Sequence, residues 1–198
     1  MKKIAKIFTA VSFAATVLLA SCSFNGELTS EAVKLPESSG IYAGAKSTTV
    51  TTPGGYGEAA SIEEDGVEVV KVKAGSWMTA SVNLANKINA KDAKTMKVIA
   101  KVGTGFTPAD AIVFEFSSED GKTTAISTWS VPTFMKDLST SYKIYEVELS
   151  DELKAGKSDQ GRHLAAVTDA CDWSKISSIH IDPRGAEGDI YIRDIIFE

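Results

Sequence analysis

Residues 112–124 read IVFEFSSEDGKTT and place an alternating segment directly before a turn dipeptide. Every second position at the start of this stretch is apolar, which is the period-two pattern of a half-buried β-strand. Asp120-Gly121 is typical of the tight turn between two antiparallel strands, and residues 124–131 follow it as the second strand. This stretch therefore predicts a β-hairpin.

The same alternation recurs from Gly40 to the C-terminus, in short segments separated by Gly, Pro, Asp and Ser. The segments are 67–72, 77–84, 96–102, 145–149, 178–182 and 190–197. We expect a solvated turn at Glu63–Asp65, and a turn of helix in each of the stretches 85–94 and 164–170. Antiparallel strands at this spacing predict an all-β sandwich or barrel.

The composition excludes several classes of protein. With 198 residues, 43% of them hydrophobic, the chain suits one globular domain with an appendage and is too apolar to be disordered. Its 2 cysteines are too few for a disulfide scaffold, so the fold must depend on a buried core. The net charge of -5 argues against a nucleic-acid partner, because phosphate binding requires clustered cations.

The N-terminus has the features of an export and anchoring signal. Lysines at positions 2, 3 and 6 precede an apolar run over 7–20, which is shorter than the roughly 20 residues of a membrane-spanning helix. The run ends in Leu19-Ala20-Ser21-Cys22, which resembles the lipobox of bacterial lipoproteins, whose cysteine carries acyl chains such as palmitate and becomes the mature N-terminus. The alternative is an ordinary secretory signal in which Cys22 is incidental.

The lipoprotein interpretation divides the chain into three parts. We predict a signal peptide over 1–21, a lipidated cysteine and flexible tether over 22–39, and the folded domain over 40–198. The acyl anchor would bind the lipid bilayer of the cell envelope without a transmembrane helix. Ser23 stands where an inner-membrane retention signal would place Asp, which favours the outer membrane or the cell surface. Cys171 then lacks a partner in its own chain, and we expect it to be a buried, inert thiol.

Four segments with alternating apolar residues occur in order along the chain, at 66–77, 142–151, 173–181 and 188–197. Together they resemble the β-jelly-roll carbohydrate-binding modules of the galactose-binding-like superfold. The resemblance implies an antiparallel β-sandwich of jelly-roll type that binds a glycan or polysaccharide. It also implies a structural calcium ion, but Arg193 replaces the first of the two acids in the closing strand, and Asp194 keeps only the second. Calcium requires six to eight oxygen ligands, so we expect no metal and no cofactor.

Trp77 is the main candidate for a sugar-binding residue. Thr79, Ser81 and Asn83 share its strand face, while apolar residues occupy the opposite face. An aromatic ring among hydroxyl and amide groups resembles a sugar platform, because the ring stacks on the apolar face of a pyranose and the polar groups bind its hydroxyls. The alternative is a Trp77 that is half-buried under a loop at the rim of the sandwich.

Three further residues are candidates for the same role. Glu115 lies on the outward face of its strand, and Trp129 and Tyr142 are aromatic residues expected at a rim. Trp129 has an alternative role in closing the edge of the sandwich. We interpret His180 and Asp182 as a solvated strand face rather than a catalytic pair.

The sequence therefore predicts non-catalytic carbohydrate binding by a membrane-anchored lipoprotein. No serine or cysteine lies in a nucleophile motif such as G-x-S-x-G. A glycoside hydrolase would require two carboxylates about 5–10 Å apart in a cleft. The alternative function is a structural or protein-interaction lipoprotein that uses the same sandwich to bind a protein partner.

Overall fold

Ten β-strands and one short helix account for the regular structure in the computed structural model, which describes residues 47–52, 58–73, 80–108, 111–156 and 170–198. In chain order they are β1 Ser47–Thr51, β2 Glu58–Glu64, β3 Val67–Lys73, β4 Ala80–Ile88, β5 Thr95–Val102, β6 Ala111–Ser118, β7 Thr123–Ser127, β8 Lys143–Glu148, α1 Asp151–Lys154, β9 Ile176–Arg184 and β10 Asp189–Phe197. Within these ranges, no helix is long and apolar enough to cross a lipid bilayer.

The strands form two five-stranded antiparallel sheets. Sheet A has the order β1-β4-β9-β6-β7, and sheet B has the order β2-β3-β10-β5-β8. From β3 onward, successive strands alternate between the two sheets, except that β6 and β7 both belong to sheet A. As a result, β9 and β10 each lie between two strands that come earlier in the sequence. Strands β3 to β10 thus follow the order of an eight-stranded jelly roll, with β1 and β2 added at the edges. The protein is an antiparallel β-sandwich of jelly-roll type, as the sequence predicts.

The core lies between the sheets and consists of every second residue of the strands. Val82, Phe114 and Ile179 from sheet A and Val70 and Ile192 from sheet B are completely buried in one hydrophobic cluster. This arrangement follows from the sequence, because successive side chains of a strand point to opposite faces.

Aromatic side chains fill one end of the core. The Phe116 ring lies 5.4 Å from the Trp173 ring, and the Phe197 ring lies 6.2 Å from the same indole. Trp173 is 7% exposed, and its indole Nε1 donates a 2.9 Å hydrogen bond to the carbonyl oxygen of Lys154. Trp173 is therefore a core residue, and its polar atom is satisfied.

Two tight turns fix the registers of the hairpins. Strands β6 and β7 pair antiparallel around Gly121, whose φ of 77° requires the left-handed region, so the predicted hairpin is confirmed. Strands β2 and β3 are joined by Asp65-Gly66, with φ of 51° and 76°. Positive φ at both central residues is the signature of the turn that matches the twist of a hairpin.

Two local predictions are wrong. The stretch 85–94 was expected to contain a turn of helix, but strand β4 continues through it to Ile88. Glu63 and Glu64 were expected in a turn, but both belong to β2, and the turn begins at Asp65. Residues 1–46, with Cys22 and the predicted start of the domain at Gly40, lie outside the described residues, as does the stretch 164–169.

Candidate functional site

The outer face of sheet A carries a row of polar side chains that point away from the core. The register places Ser81 of β4 opposite His180 of β9, and His180 opposite Glu115 of β6. Two of these side chains lie close together, since His180 Nδ1 is 3.5 Å from Glu115 Oε1. The two side chains are 26% and 17% exposed, although Nδ1 of His180 is itself buried and has no hydrogen-bond partner among the described residues.

Strand β9 supplies the charged groups of this face. Its alternating residues His180, Asp182 and Arg184 point outward in succession, because Ile179 and Ile181 fill the core between the sheets. Arg184 Nε donates a 2.6 Å hydrogen bond to Asp182 Oδ2, and both side chains are 6% exposed. A buried ion pair with a charged hydrogen bond holds both groups in one geometry. The prediction of a solvated face is therefore wrong for Asp182, which Arg184 covers and neutralises.

Trp129 lies on the same outer face, beyond the end of β7. Its ring packs against the buried residues Ala111, Val113 and Ala125, and the guanidinium carbon of Arg184 is 5.3 Å from the ring centroid. The indole is half-buried. This partly exposed aromatic surface adjoins the charged groups of β9.

A serine turn directs Trp129 onto the sheet. Ser127 Oγ accepts hydrogen bonds from the backbone N–H groups of Trp129 and Ser130, at 3.3 and 3.2 Å. Ser127 is completely buried. Its carbonyl oxygen accepts a 2.9 Å hydrogen bond from the backbone N–H of Val131. Serine favours such turns because its hydroxyl bonds the following backbone amides. These hydrogen bonds fix the backbone that carries the Trp129 side chain.

The sequence-predicted residues Ser81, Asn83, Glu115 and Trp129 all lie on the outer face of sheet A. Ser81 is 7% exposed, whereas Asn83 is exposed and its Nδ2 donates a 3.0 Å hydrogen bond to Thr49 Oγ1 of the edge strand. Trp77, Thr79 and Cys22 lie outside the described residues.

Tyr142 lies elsewhere, on the outer face of sheet B. Its hydroxyl donates a 2.6 Å hydrogen bond to Glu64 Oε2, and Lys101 Nζ donates 2.8 Å to the same oxygen. Lys101 Nζ is also 4.6 Å from the Tyr142 ring centroid. Burial and the neighbouring Glu64 carboxylate raise the pKa of the Tyr142 hydroxyl well above its usual value. Tyr142 is therefore not part of the group on sheet A.

Sequence reasoning missed Arg184 and misjudged Asp182. The signal was available, because His180-Ile181-Asp182-Pro183-Arg184 alternates polar and apolar residues through the end of β9. Among the described residues, no group of three or more His, Cys, Asp or Glu side chains could hold a metal ion. The arrangement offers an aromatic surface with paired donors and acceptors beside it, which suits a ligand with hydroxyl groups and an apolar face.

No protein-family model and no curated protein sequence matches this chain. Its fold is similar to that of several solved structures. A family 11 carbohydrate-binding module from Clostridium thermocellum, in complex with a β-1,3-1,4-mixed-linked tetrasaccharide, is 15% identical with a TM-score of 0.41, over 75% of this chain and 86% of that one. A module from Clostridium stercorarium in complex with cellobiose is 11% identical with a TM-score of 0.38, over 77% of this chain and 87% of that one.

An exo-β-agarase is also similar in fold. It is 12% identical with a TM-score of 0.42, over 76% of this chain. The chain spans only 23% of the length of the agarase. At these identities the likeness concerns the fold at most.

Proposed function

We propose that this protein binds a carbohydrate, without catalysis, on the outer face of sheet A. The observation that carries the proposal is the half-buried Trp129 ring, fixed on the sheet beside the Asp182–Arg184 ion pair. His180 of β9 and Glu115 of β6 add polar side chains to the same outer face. This placement combines a flat apolar surface with fixed polar groups in one region.

A sugar presents both kinds of surface. Its C–H groups stack on an aromatic ring, and its hydroxyls require donors and acceptors in fixed positions. The partly exposed side chains of His180 and Glu115 offer such groups at the surface, and the buried Asp182–Arg184 ion pair fixes the guanidinium beside the Trp129 ring. Because sugars lose many hydrogen bonds to water when they bind, we expect a dissociation constant of about 10 µM to 1 mM.

The proposed site includes Ser81, Asn83 and Glu115, which the sequence also predicts. Trp77 and Thr79 stay predictions, since they lie outside the described residues. Tyr142 is left out of this site because it lies on sheet B.

The test uses the full-length chain in lipid nanodiscs and a panel of purified polysaccharides, with binding measured by bio-layer interferometry. We expect Trp129→Ala to weaken binding at least about tenfold, which corresponds to roughly 1.4 kcal/mol. Glu115→Gln keeps the shape of the side chain and should weaken binding about threefold, because neutral hydrogen bonds are weaker than charge-assisted ones. Tyr142→Phe on sheet B is the matched control and should bind as the unmodified chain does.

Two outcomes would contradict the proposal. One is the absence of binding to every polysaccharide, which would favour the alternative of a protein partner for this face. The other is unchanged binding by Trp129→Ala in a chain whose thermal unfolding shows that it is folded.

We also propose that the chain is a lipoprotein of the cell envelope, held at the outer membrane or cell surface by acyl chains on Cys22. The support is the sequence of the first 22 residues, in which a lysine-containing segment and an apolar run precede Leu-Ala-Ser-Cys. Each buried CH₂ group of an acyl chain contributes about 0.8 kcal/mol, so several chains give stable attachment. Bacteria that express the chain and are fed an alkyne-labelled fatty acid should label it, and Cys22→Ala should abolish the label. Labelling that persists in Cys22→Ala would contradict the assignment.

A further inference from the structure

A cavity of about 530 Å³ opens at one end of the sandwich, and its lining includes Ala111, against which Trp129 packs on the outer face of sheet A. Three connections form its walls: β5 to β6, β7 to β8 and β9 to β10. Most of the lining is apolar, with Val102, Ile112 and Phe134 on the core side and Phe106, Met135 and Leu138 around them. We call this space the end cavity. Its volume is in the range of cavities that hold small molecules.

Backbone hydrogen bonds fix the walls of the end cavity. Thr107 and Glu187 exchange two backbone bonds of 3.0 Å, which tie the β5–β6 connection to the β9–β10 turn. Gly188 allows this close approach, because a Cβ there would lie 3.0 Å from the Cα of Phe106. On the opposite side, Val102 N–H donates 2.8 Å to the carbonyl oxygen of Ser139. The cavity is therefore formed by the fold itself.

Met135 has an unusual backbone conformation in the wall. Its φ is 52°, and its side chain lines the end cavity with 3% of the residue exposed. The left-handed region costs a residue with a bulky side chain roughly 1–2 kcal/mol. Such strain persists only where the surrounding structure imposes it, and it is concentrated at ligand sites.

The charges at the end cavity point to the class of ligand. Lys136 and Lys143 both line it, and within the described part of the chain neither forms an ion pair with a carboxylate. Lys143 Nζ donates a long hydrogen bond of 3.5 Å to the carbonyl oxygen of Asp137. By contrast, Lys71, Lys97 and Lys101 on the outer face of sheet B all pair with acids. Against the single carboxylate of Asp137 in the described lining, these two lysines leave an excess of one positive charge at the cavity, which favours an anion.

We propose that the end cavity binds a small amphipathic organic acid, with its apolar body against Phe106, Met135 and Leu138 and its carboxylate at Lys136 and Lys143. Among the described lining residues, the polar side chains are Thr128, Asp137 and the two lysines, so the cavity offers few side-chain partners for the many hydroxyls of a sugar. The Thr128 hydroxyl oxygen accepts a 3.2 Å hydrogen bond from the backbone N–H of Ile112. The cavity adjoins the Trp129 surface through Ala111, but the proposed ligand contacts differ from those proposed for a sugar.

The test compares 3-phenylpropionate with its uncharged amide by isothermal titration calorimetry. The protein is the full-length chain in lipid nanodiscs, and empty nanodiscs provide the blank for partitioning into lipid. We expect the acid to bind more tightly than the amide. The double variant K136Q/K143Q should weaken binding of the acid about three- to tenfold and change binding of the amide less than twofold, since each exposed charge contributes modestly.

Two further variants separate the site from general effects. Lys91→Gln removes an exposed lysine near the opposite end of β5 and should leave the affinity for the acid unchanged. Leu138→Ala removes part of the apolar wall and should weaken both the acid and the amide. The proposal is overturned if the acid does not bind, if acid and amide bind equally, or if K136Q/K143Q leaves the affinity for the acid unchanged. Failure of this test is distinguished from failure of the polysaccharide test by the variants, since K136Q/K143Q changes the end cavity and Trp129→Ala changes the outer face of sheet A.

Discussion

Cys171 lies in the core, where the residue is 5% exposed and its backbone N–H donates a 3.0 Å hydrogen bond to Thr124 Oγ1. Burial raises the pKa of its thiol from 9.0 to about 11. The thiolate is the reactive form, so this cysteine is protected from oxidation and alkylation near neutral pH. The expectation of a buried thiol is confirmed.

The Cys171 thiol should make stability fall at alkaline pH. Between pH 9 and about pH 11 the unfolded chain loses this proton before the folded chain, so ionisation favours the unfolded state. A shift of this size corresponds to about 2–3 kcal/mol of unfolding free energy, lost in full above the folded pKa. Urea unfolding at pH 8 and pH 11 should show a smaller decrease for Cys171→Ala than for the unmodified chain. Equal decreases in the two proteins would contradict the assignment.

Tyr142 is held by a network on the outer face of sheet B. Burial alone would raise the pKa of Glu64, but hydrogen bonds from Lys101 and Tyr142 outweigh it and hold the pKa of this carboxyl below its usual value. A carboxylate with a lowered pKa stabilises the fold above its unfolded pKa of 4.5, and this contribution is lost as the pH falls through the folded pKa. Tyr142 therefore has a structural role whether or not it contacts a ligand.

The network predicts a pH-dependent effect of Tyr142→Phe. Removal of the hydroxyl should lower the unfolding free energy by about 1 kcal/mol at pH 7, which allows for the partial exposure of Glu64. The difference between the two proteins should shrink below the pKa of Glu64, because a protonated carboxyl is a weaker acceptor. Urea titrations at several pH values measure this, and a difference that is constant with pH would contradict the charged hydrogen bond.

At the level of the elements, Lys154 connects α1 to the link between β4 and β5. Its Nζ donates hydrogen bonds of 3.1, 2.8 and 2.6 Å to the carbonyl oxygens of Ala90, Lys91 and Ala93. The helix begins at a Ser150 cap, whose side chain accepts 3.1 Å from Leu153 N–H. Burial and the nearby Lys94 lower the pKa of the Lys154 amine. A single ammonium group thus satisfies three backbone carbonyls.

Lys154→Met keeps most of the side-chain stem and removes the three donors. We expect the unfolding free energy to fall by about 1–2 kcal/mol, because the carbonyls of Lys91 and Ala93 lose this donor while Ala90 O still accepts a 3.2 Å hydrogen bond from Ala93 N–H. Lys91→Met, at an exposed side chain in the same link, is the control and should change the unfolding free energy by less than about 0.5 kcal/mol. Equal midpoints of urea unfolding for the two variants would show that the carbonyls are satisfied by water instead.

The alternation of apolar residues was sufficient to predict eight strands from β3 to β10, because each buries one face. It was not sufficient for β1 and β2, which lie at the edges of the sheets. Strand β2 reads EAASIEE, in which only Ile62 is a large apolar residue, and an edge strand half-covered by its neighbour requires no more. The prediction of a helical turn in 85–94 was wrong for a related reason, since β4 continues past Leu84 as an exposed strand.

The candidate site was predictable in part. Period-two alternation places Ser81, Glu115 and His180 on outward faces, and that local property is correct. Alternation does not specify which sheet a strand joins, so it could not separate Tyr142 from Trp129. Nor does it specify which side chains bury an outward residue. Asp182 is paired with Arg184, two residues further along the same strand. These features depend on topology and packing between distant segments.

For the whole molecule, the order of the strands matters more than their number. The last two strands are the central ones: β9 pairs with β4 and β6, and β10 pairs with β3 and β5. Sheet A is continuous only with β9 in place, and sheet B only with β10. Pairing between strands so distant in sequence makes folding slow.

This topology predicts that a short C-terminal deletion destabilises the fold more than a longer N-terminal deletion. A chain that ends at Lys175 loses β9 and β10, so β4 and β6 in sheet A and β3 and β5 in sheet B lose the strand between them. We expect no cooperative urea transition and no native β-sheet circular dichroism from it. A chain that begins at Glu58 loses only the edge strand β1 of the described strands, and should keep a cooperative transition at lower stability. A cooperative transition in the chain that ends at Lys175 would show that the first eight strands form a sandwich without the central pair.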